Sequence, residues 1–168
     1  YLRSLPNMNV FAVKDVKEFE NVLEYCLKLN KPCAIRYPNG INHEFENHSP
    51  IEECLWEIDG EGDTVILAVG PRMLRLAYEV KERATNSVCV INARSIKPLY
   101  KSILDTFEGK KVVVLEENVL EGGFGSAVLE YLNENNINCQ VIRKAFPDKF
   151  ISHATVSEQL KEVGLTVE

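Results

Sequence analysis

No apolar run in this chain approaches the roughly 18 residues needed to cross a bilayer, so no membrane-spanning helix is expected. Nor does an apolar stretch follow Tyr1–Leu2–Arg3–Ser4, so no secretory signal is read there. Positive charge is in deficit: 19 Lys and Arg face 25 Asp and Glu, leaving a net charge of −6 with no basic cluster. This disfavours nonspecific nucleic-acid binding, which draws its affinity from cations that neutralise phosphates. The five cysteines, at 26, 33, 54, 89 and 139, are odd in number, widely spaced and without a CxxC pair. A disulfide framework or structural zinc site is therefore not expected. Thiols at apolar positions suit small buried hydrophobes in a reducing compartment, and a cytoplasmic location is expected. An initiator Met, an internal repeat and a low-complexity tract are also missing, and the chain reads as a piece of a longer polypeptide.

What remains is the composition of an ordinary globular protein, 45% apolar and 26% charged. Its 168 residues suffice for one full α/β domain plus a fragment. Residues 9–13 read as a strand, and the period then changes. Val16, Phe19, Leu23, Cys26 and Leu27 recur at three- and four-residue steps, so a helix over 15–29 has one apolar face. Asp15 is the expected N-cap, with Glu18 completing a capping box. A second strand over 32–37 ends at Pro38–Asn39–Gly40. Strand, helix and strand alone cannot cover both faces of a sheet, so this unit is expected to need a sheet from chain outside it.

Residues 41–53 are polar and acidic with little periodicity and read as a linker. His43, Glu44, Glu46 and His48 lack the helical i, i+4 spacing of a zinc site and are expected to be a solvated charge run. Beyond them strands near 55–58, 65–69, 88–92, 112–115 and 140–142 alternate with helices over 72–84, 99–107, 124–134 and 156–162. Such alternation implies crossovers and a mostly parallel sheet covered on both faces.

The most informative stretch runs from Lys111 to Val128, where an apolar strand enters Glu116–Glu117 and then a glycine-rich turn that opens a helix near Phe124. A phosphate could sit at such a helix N-terminus. Gly122–Gly123–Phe124–Gly125 nevertheless lacks the third glycine of a dinucleotide fingerprint, since position 128 is Val, and lacks the Lys-Ser/Thr of a P-loop. Close packing of loop against helix is the favoured reading. Glu116 and Glu117 stand where carboxylates can face a crevice, and capping or ion pairing is favoured over acid–base work. Arg36 is expected to form a structural ion pair, and His153 to lie at a surface or interface.

Alongside this stretch stand Leu5–Pro6–Asn7–Met8, Ile35–Arg36–Tyr37–Pro38–Asn39–Gly40, Asn92–Ala93–Arg94–Ser95–Ile96–Lys97–Pro98–Leu99 and Phe146–Pro147–Asp148–Lys149–Phe150–Ile151–Ser152–His153. In order and spacing these segments resemble the C-terminal part of the 1-deoxy-D-xylulose-5-phosphate synthases, a transketolase-like family that uses thiamine diphosphate. The resemblance implies a three-layer α/β/α transketolase C-terminal domain over 54–168 with a mostly parallel five-stranded sheet. Residues 1–40 would then be the last strand-helix-strand of a pyrimidine-binding domain, and 41–53 the linker. For the parent it implies a homodimeric transferase holding thiamine diphosphate through Mg2+. That enzyme condenses pyruvate with glyceraldehyde 3-phosphate, losing carbon dioxide, for isoprenoid and thiamine biosynthesis.

In this family the metal motif, glycine-aspartate-glycine ending in asparagine, and the glutamate that activates the cofactor ring lie upstream of the part that Tyr1 begins. Neither motif occurs here, so the fragment is expected to carry no catalytic residue, bind no cofactor or metal, and be inactive without the missing N-terminal portion. One family position does fall inside the chain. The family usually reads arginine-tyrosine-proline-arginine-glycine where this chain has Arg36–Tyr37–Pro38–Asn39–Gly40, and the second arginine binds the substrate phosphate. Asn39 replaces a bidentate cation with a neutral amide. Hydrogen bonds to charged groups contribute about 1.5–3 kcal/mol against about 1 for neutral ones, so phosphate binding would weaken roughly tenfold or more. Asn39–Gly40 is equally a good turn. Two other readings stay open: another transketolase-like enzyme or an oxoacid dehydrogenase beta subunit, and a noncatalytic interaction module.

Overall fold

The computed structural model describes residues 1–38 and 44–167. Two sheets organise them. A three-stranded sheet has the order β2-β1-β6, from β1 (Asn9–Ala12), β2 (Cys33–Arg36) and β6 (Ser95–Lys97). A five-stranded sheet has the order β3-β5-β4-β7-β8, from β3 (Glu57–Asp59), β4 (Thr64–Val69), β5 (Val88–Asn92), β7 (Lys111–Val119) and β8 (Gln140–Phe146). The helices are α1 (Val16–Leu29), α2 (Pro71–Arg83), α3 (Lys101–Leu104), α4 (Phe124–Glu134) and α5 (Val156–Glu162).

Side chains alternate across a strand, and here the alternation sorts two cores onto opposite faces of the larger sheet. Val65, Leu67, Ile91, Val112 and Val114 face one side with Leu104 of α3 and Phe124, Val128 and Leu132 of α4. Ile66, Ala68, Val90 and Leu115 face the other with Met73, Leu74 and Ala77 of α2 and Leu160 of α5. Each fully buried aliphatic side chain stabilises the fold by about 1.5–3 kcal/mol, so continuously apolar strands belong in a sheet covered twice. The α/β/α layering and the mostly parallel five-stranded sheet are those expected, with β3 the antiparallel edge strand.

Several expected bounds shift. Helix α3 is a single turn rather than 99–107, and β7 runs on to Val119. β6, whose Ser-Ile-Lys sequence has no apolar run, was not foreseen, and it changes how the first unit is completed. β1 pairs in parallel with β2 and antiparallel with β6, so the strand-helix-strand gains its third strand from within this chain. Trp56, fully buried, secures that strand by donating its indole N–H to Ser95 O at 2.8 Å while packing edge-on to Phe124.

At the start of α1, Asp15 Oδ1 accepts from Glu18 N at 2.9 Å, as an N-cap should. The reciprocal half of the capping box does not form. Glu18 Oε2 accepts from Lys14 N at 2.7 Å, one residue earlier, because its carboxylate is drawn into a buried polar cluster.

Candidate functional site at the crevice between the sheets

From β4 the chain moves outward to β5 and then returns to the other side of β4 as β7. Between β4 and β7 lies a topological switch point, where parallel sheets leave a crevice outside the strands' carboxyl ends. β1 and β2 bring their own carboxyl ends to the same place. Two adjoining hollows of about 460 and 270 Å³ result, sharing Ala12, Arg36 and Glu117. Val69 lines the larger, while Gly70 and Arg72 line the smaller.

The crevice floor explains the glycine-rich turn. Past Leu115, β7 takes four steps to Val119 while β8 takes two from Lys144 to Phe146, a bulge at the strand's end. Within it Glu116, buried, accepts from Phe124 N and Gly125 N at 2.8 Å each. α4 has no cap from its own N-cap residue, Gly123, so Glu116 supplies the anion that the helix's positive end favours. A Cβ on Gly123 would lie 2.6 Å from Glu116 Oε2, and one on Gly125 2.9 Å from Arg143 Cδ. Close packing is thus what these glycines serve, and the place a phosphate would take at this helix is filled by the chain's own carboxylate. Gly122, at φ +71°, needs to be glycine for its backbone alone.

Glu117 pairs with Arg72 of α2 at 3.0 Å. Both acids of the pair are therefore engaged in the capping and ion-pairing roles favoured for them. Arg36 corrects its expectation: its Nη2 donates to the backbone oxygen of Glu117 at 3.3 Å, and Arg72 holds the carboxylate instead. Asn39, the position of the family's phosphate-binding arginine, lies outside the described residues, as does His43. His153 is exposed.

A second polar cluster closes the junction of the two units. Arg94 Nη1 reaches Glu18 Oε1 and Glu57 Oε1, both at 3.2 Å, and donates to Ser49 O at 2.8 Å. Asn92 Nδ2 donates to Glu18 at 2.8 Å and to Glu57 at 3.0 Å, and Lys14 pairs with Glu57. Burial, with the neighbouring Glu57 charge second, pushes the Glu18 carboxyl up to about 7, against the pull of Arg94 and Lys14. Burial acts on Glu57 too, but hydrogen bonds from Lys14, Ser49 and Asn92 outweigh it and hold that carboxyl below its ordinary value.

His48 belongs to the same junction, which corrects the reading of 43–48 as a solvated run. Its Nε2 lies 2.7 Å from Asp15 Oδ2, and the two side chains are 14% and 1% exposed. Glu44 and Glu46 do stay exposed. Asp15 thus caps α1 with one oxygen and holds His48 with the other, a double use that no spacing rule announces. Arg94 had a readable signal: a lone charge in the run Val88–Ile96, whose only other polar residues are Asn92 and Ser95, must find buried anions.

The crevice does not fit a magnesium-bound diphosphate cofactor with the described residues alone. Glu116 and Glu117 are already engaged, and among those residues no group of three His, Cys, Asp or Glu converges as a ligand set. No described helix is long and apolar enough to cross a membrane.

Comparison with known proteins agrees with this geometry. Residues 55–168 match the family model for the transketolase C-terminal domain. Over its full length the chain is 37% identical to a 1-deoxy-D-xylulose-5-phosphate synthase of Clostridium perfringens and spans 28% of that protein. It is 40% identical, over 98% of its length, to the synthase of Exiguobacterium sibiricum, spanning 27% of it. A solved split-gene transketolase, described as an inactive beta4 tetramer, superposes with a TM-score of 0.84 at 27% identity, over 98% of this chain and 56% of that one. The chain thus corresponds to a little over a quarter of the curated relatives it matches. On the family match over 55–168 and the layered sheet that bears it out, the chain belongs to the transketolase C-terminal domain family.

Proposed function

We propose that the chain is the C-terminal part of a 1-deoxy-D-xylulose-5-phosphate synthase. The parent condenses pyruvate with glyceraldehyde 3-phosphate, releases carbon dioxide and feeds isoprenoid and thiamine biosynthesis. The observation that carries this reading is identity of 36–40% over 98–100% of the chain with synthases of that name, of which it spans 27–28%. In this reading residues 1–40 end the pyrimidine-binding domain, 41–53 link it onward, and 54–168 form the C-terminal domain. Thiamine diphosphate and Mg2+ are held by the N-terminal portion of the cytoplasmic, homodimeric parent. The chain itself is architectural: its buried junction holds the strand that ends at Arg36 beside the crevice.

Two measurements test this. The 168-residue chain titrated with thiamine diphosphate and Mg2+ should show no binding; micromolar affinity would contradict the reading. The longer parent should release carbon dioxide from pyruvate only when glyceraldehyde 3-phosphate is supplied. There, Asn39→Arg should lower the KM for the phosphorylated aldehyde roughly tenfold. An unchanged KM would remove Asn39 from phosphate recognition.

One observation supports a second arrangement. The transketolase matched over 98% of this chain is described as split-gene and as a beta4 tetramer, which suits a parent whose metal-site domain is encoded apart. A glycine-aspartate-glycine motif upstream of Tyr1 on the same polypeptide decides for the synthase, and its absence for a beta subunit.

A further inference from the structure

In the three-stranded unit, β1 and β2 are parallel, so α1 must return antiparallel to both. The last turns of the helix therefore lie over the start of β2. The inward positions of α1 run Phe19, Val22 and Cys26, and those of β2 run Cys33 and Ile35; all five pack in one apolar cluster. Cys26 is the final inward position of the helix and Cys33 the first of the strand. Both belong to that one cluster, and Cys33 stands close enough to perturb the ionisation of Cys26. Cys26 is buried, whereas Cys33 is half-buried near the surface, where its thiol donates to Lys31 O at 3.3 Å. All five thiols are free in the reduced fold.

We propose that Cys26 and Cys33 form a dithiol–disulfide couple, with Cys33 the point of entry for a low-molecular-weight disulfide oxidant. The thiolate of Cys33 attacks one sulfur of the oxidant, whose S–S bond breaks to release the first small thiolate. The thiolate of Cys26 then attacks Cys33 Sγ in that mixed disulfide and expels the second. Two protein thiols are oxidised, one small disulfide is reduced to two thiols, and the two protons leave on them.

The surroundings set the character of the couple. Burial first, then the hydrogen bond and charge of Cys33, push the Cys26 thiol up to about 12. Little Cys26 thiolate exists near neutral pH, so closure is slow and quickens as pH rises. Once Cys33 is capped its charge no longer opposes ionisation of Cys26. A poorly acidic thiol is also a poor leaving group, so the bond resists reduction after it forms. It would tie the end of α1 to the start of β2 across the short Asn30–Pro32 connection.

The test is incubation of the whole chain with oxidised glutathione, followed by alkylation and non-reducing peptide mapping. Two of the five thiols should be lost, and a peptide linking Cys26 to Cys33 should appear two hydrogens lighter than its reduced form, faster at about pH 9 than at pH 7.5. Cys26→Ala should stop at a glutathionyl adduct on Cys33, and Cys33→Ser should leave Cys26 unmodified. Wild-type protein that stops at the adduct, or that links either thiol to another cysteine, would overturn the proposal. The wild-type map decides this even where a variant folds poorly.

Discussion

Glu18 Oε1 and Arg94 Nη1 lie 3.2 Å apart with both side chains essentially sealed from water, one at the start of α1 and the other just past β5. Glu57, Lys14 and Asn92 close around them from β3, β1's exit and β5. The junction between the two sheets is therefore an ionic one, and its members stand or fall together.

Removing the cation leaves two carboxylates buried near each other. Arg94→Met should destabilise the chain by about 3–5 kcal/mol, the usual cost of orphaning a buried charge. Urea unfolding at pH 7 measures it. A loss under about 1 kcal/mol would mean that water reaches the site.

Acidity acts on this junction with a definite sign. The folded chain holds a proton on Glu18 up to about pH 7, whereas an unfolded carboxyl releases it near 4.5. Between those values the native state binds more protons, so Glu18 lowers stability as pH rises, by up to about 3 kcal/mol when the step is complete. Glu57, depressed, contributes in the opposite sense: its stabilisation is present above its ordinary value and is lost as pH falls through the folded one. The unfolding midpoint should therefore fall from about pH 5 to 8, and Glu18→Gln should remove most of that fall. An identical pH profile in the variant would assign the effect elsewhere.

At the floor of the crevice, Gly123→Ala should cost about 1–3 kcal/mol by forcing a methyl into the Glu116 carboxylate. Glu116→Gln should cost about as much, because Phe124 N and Gly125 N donate to different carboxylate oxygens and the amide would turn its NH2 donor toward one of them. The two changes share one contact, so Gly123→Ala should be milder when Glu116 is already Ala. Additive losses in that double-mutant cycle would exclude the clash.

Arg3 fastens the N-terminal turn by donating to Gly122 O and Gly123 O at 2.7 Å each and pairing with Glu130. Arg3→Ala should free residues 1–8 without unfolding the rest. Faster proteolysis there, at an almost unchanged global midpoint, is the expected result.

The layered sheet was legible because its signal is local: apolar strands alternate with amphipathic helices, and Val65–Val69 or Val112–Leu115 need no distant partner to be recognised. The close packing around Gly122–Gly125 was legible for the same reason. β6 was not, since Ser95–Ile96–Lys97 has no strand pattern and is held by Trp56 and β1 from far along the chain. His48 and Arg36 were misread on the same ground. Their partners, Asp15 and the backbone of Glu117, are distant in sequence, and charge pattern alone cannot choose between solvent and a remote acceptor.

The lending of β6 to the smaller sheet bears on how the polypeptide can be cut. Residues 55–168, expressed alone, would present Ser95–Lys97 as a bare ribbon of unmet amide donors and acceptors, with Arg94 stripped of Glu18 beside it. Such an exposed edge invites clumping between molecules. A soluble product would need to begin before Asn9, whatever boundary a family profile draws.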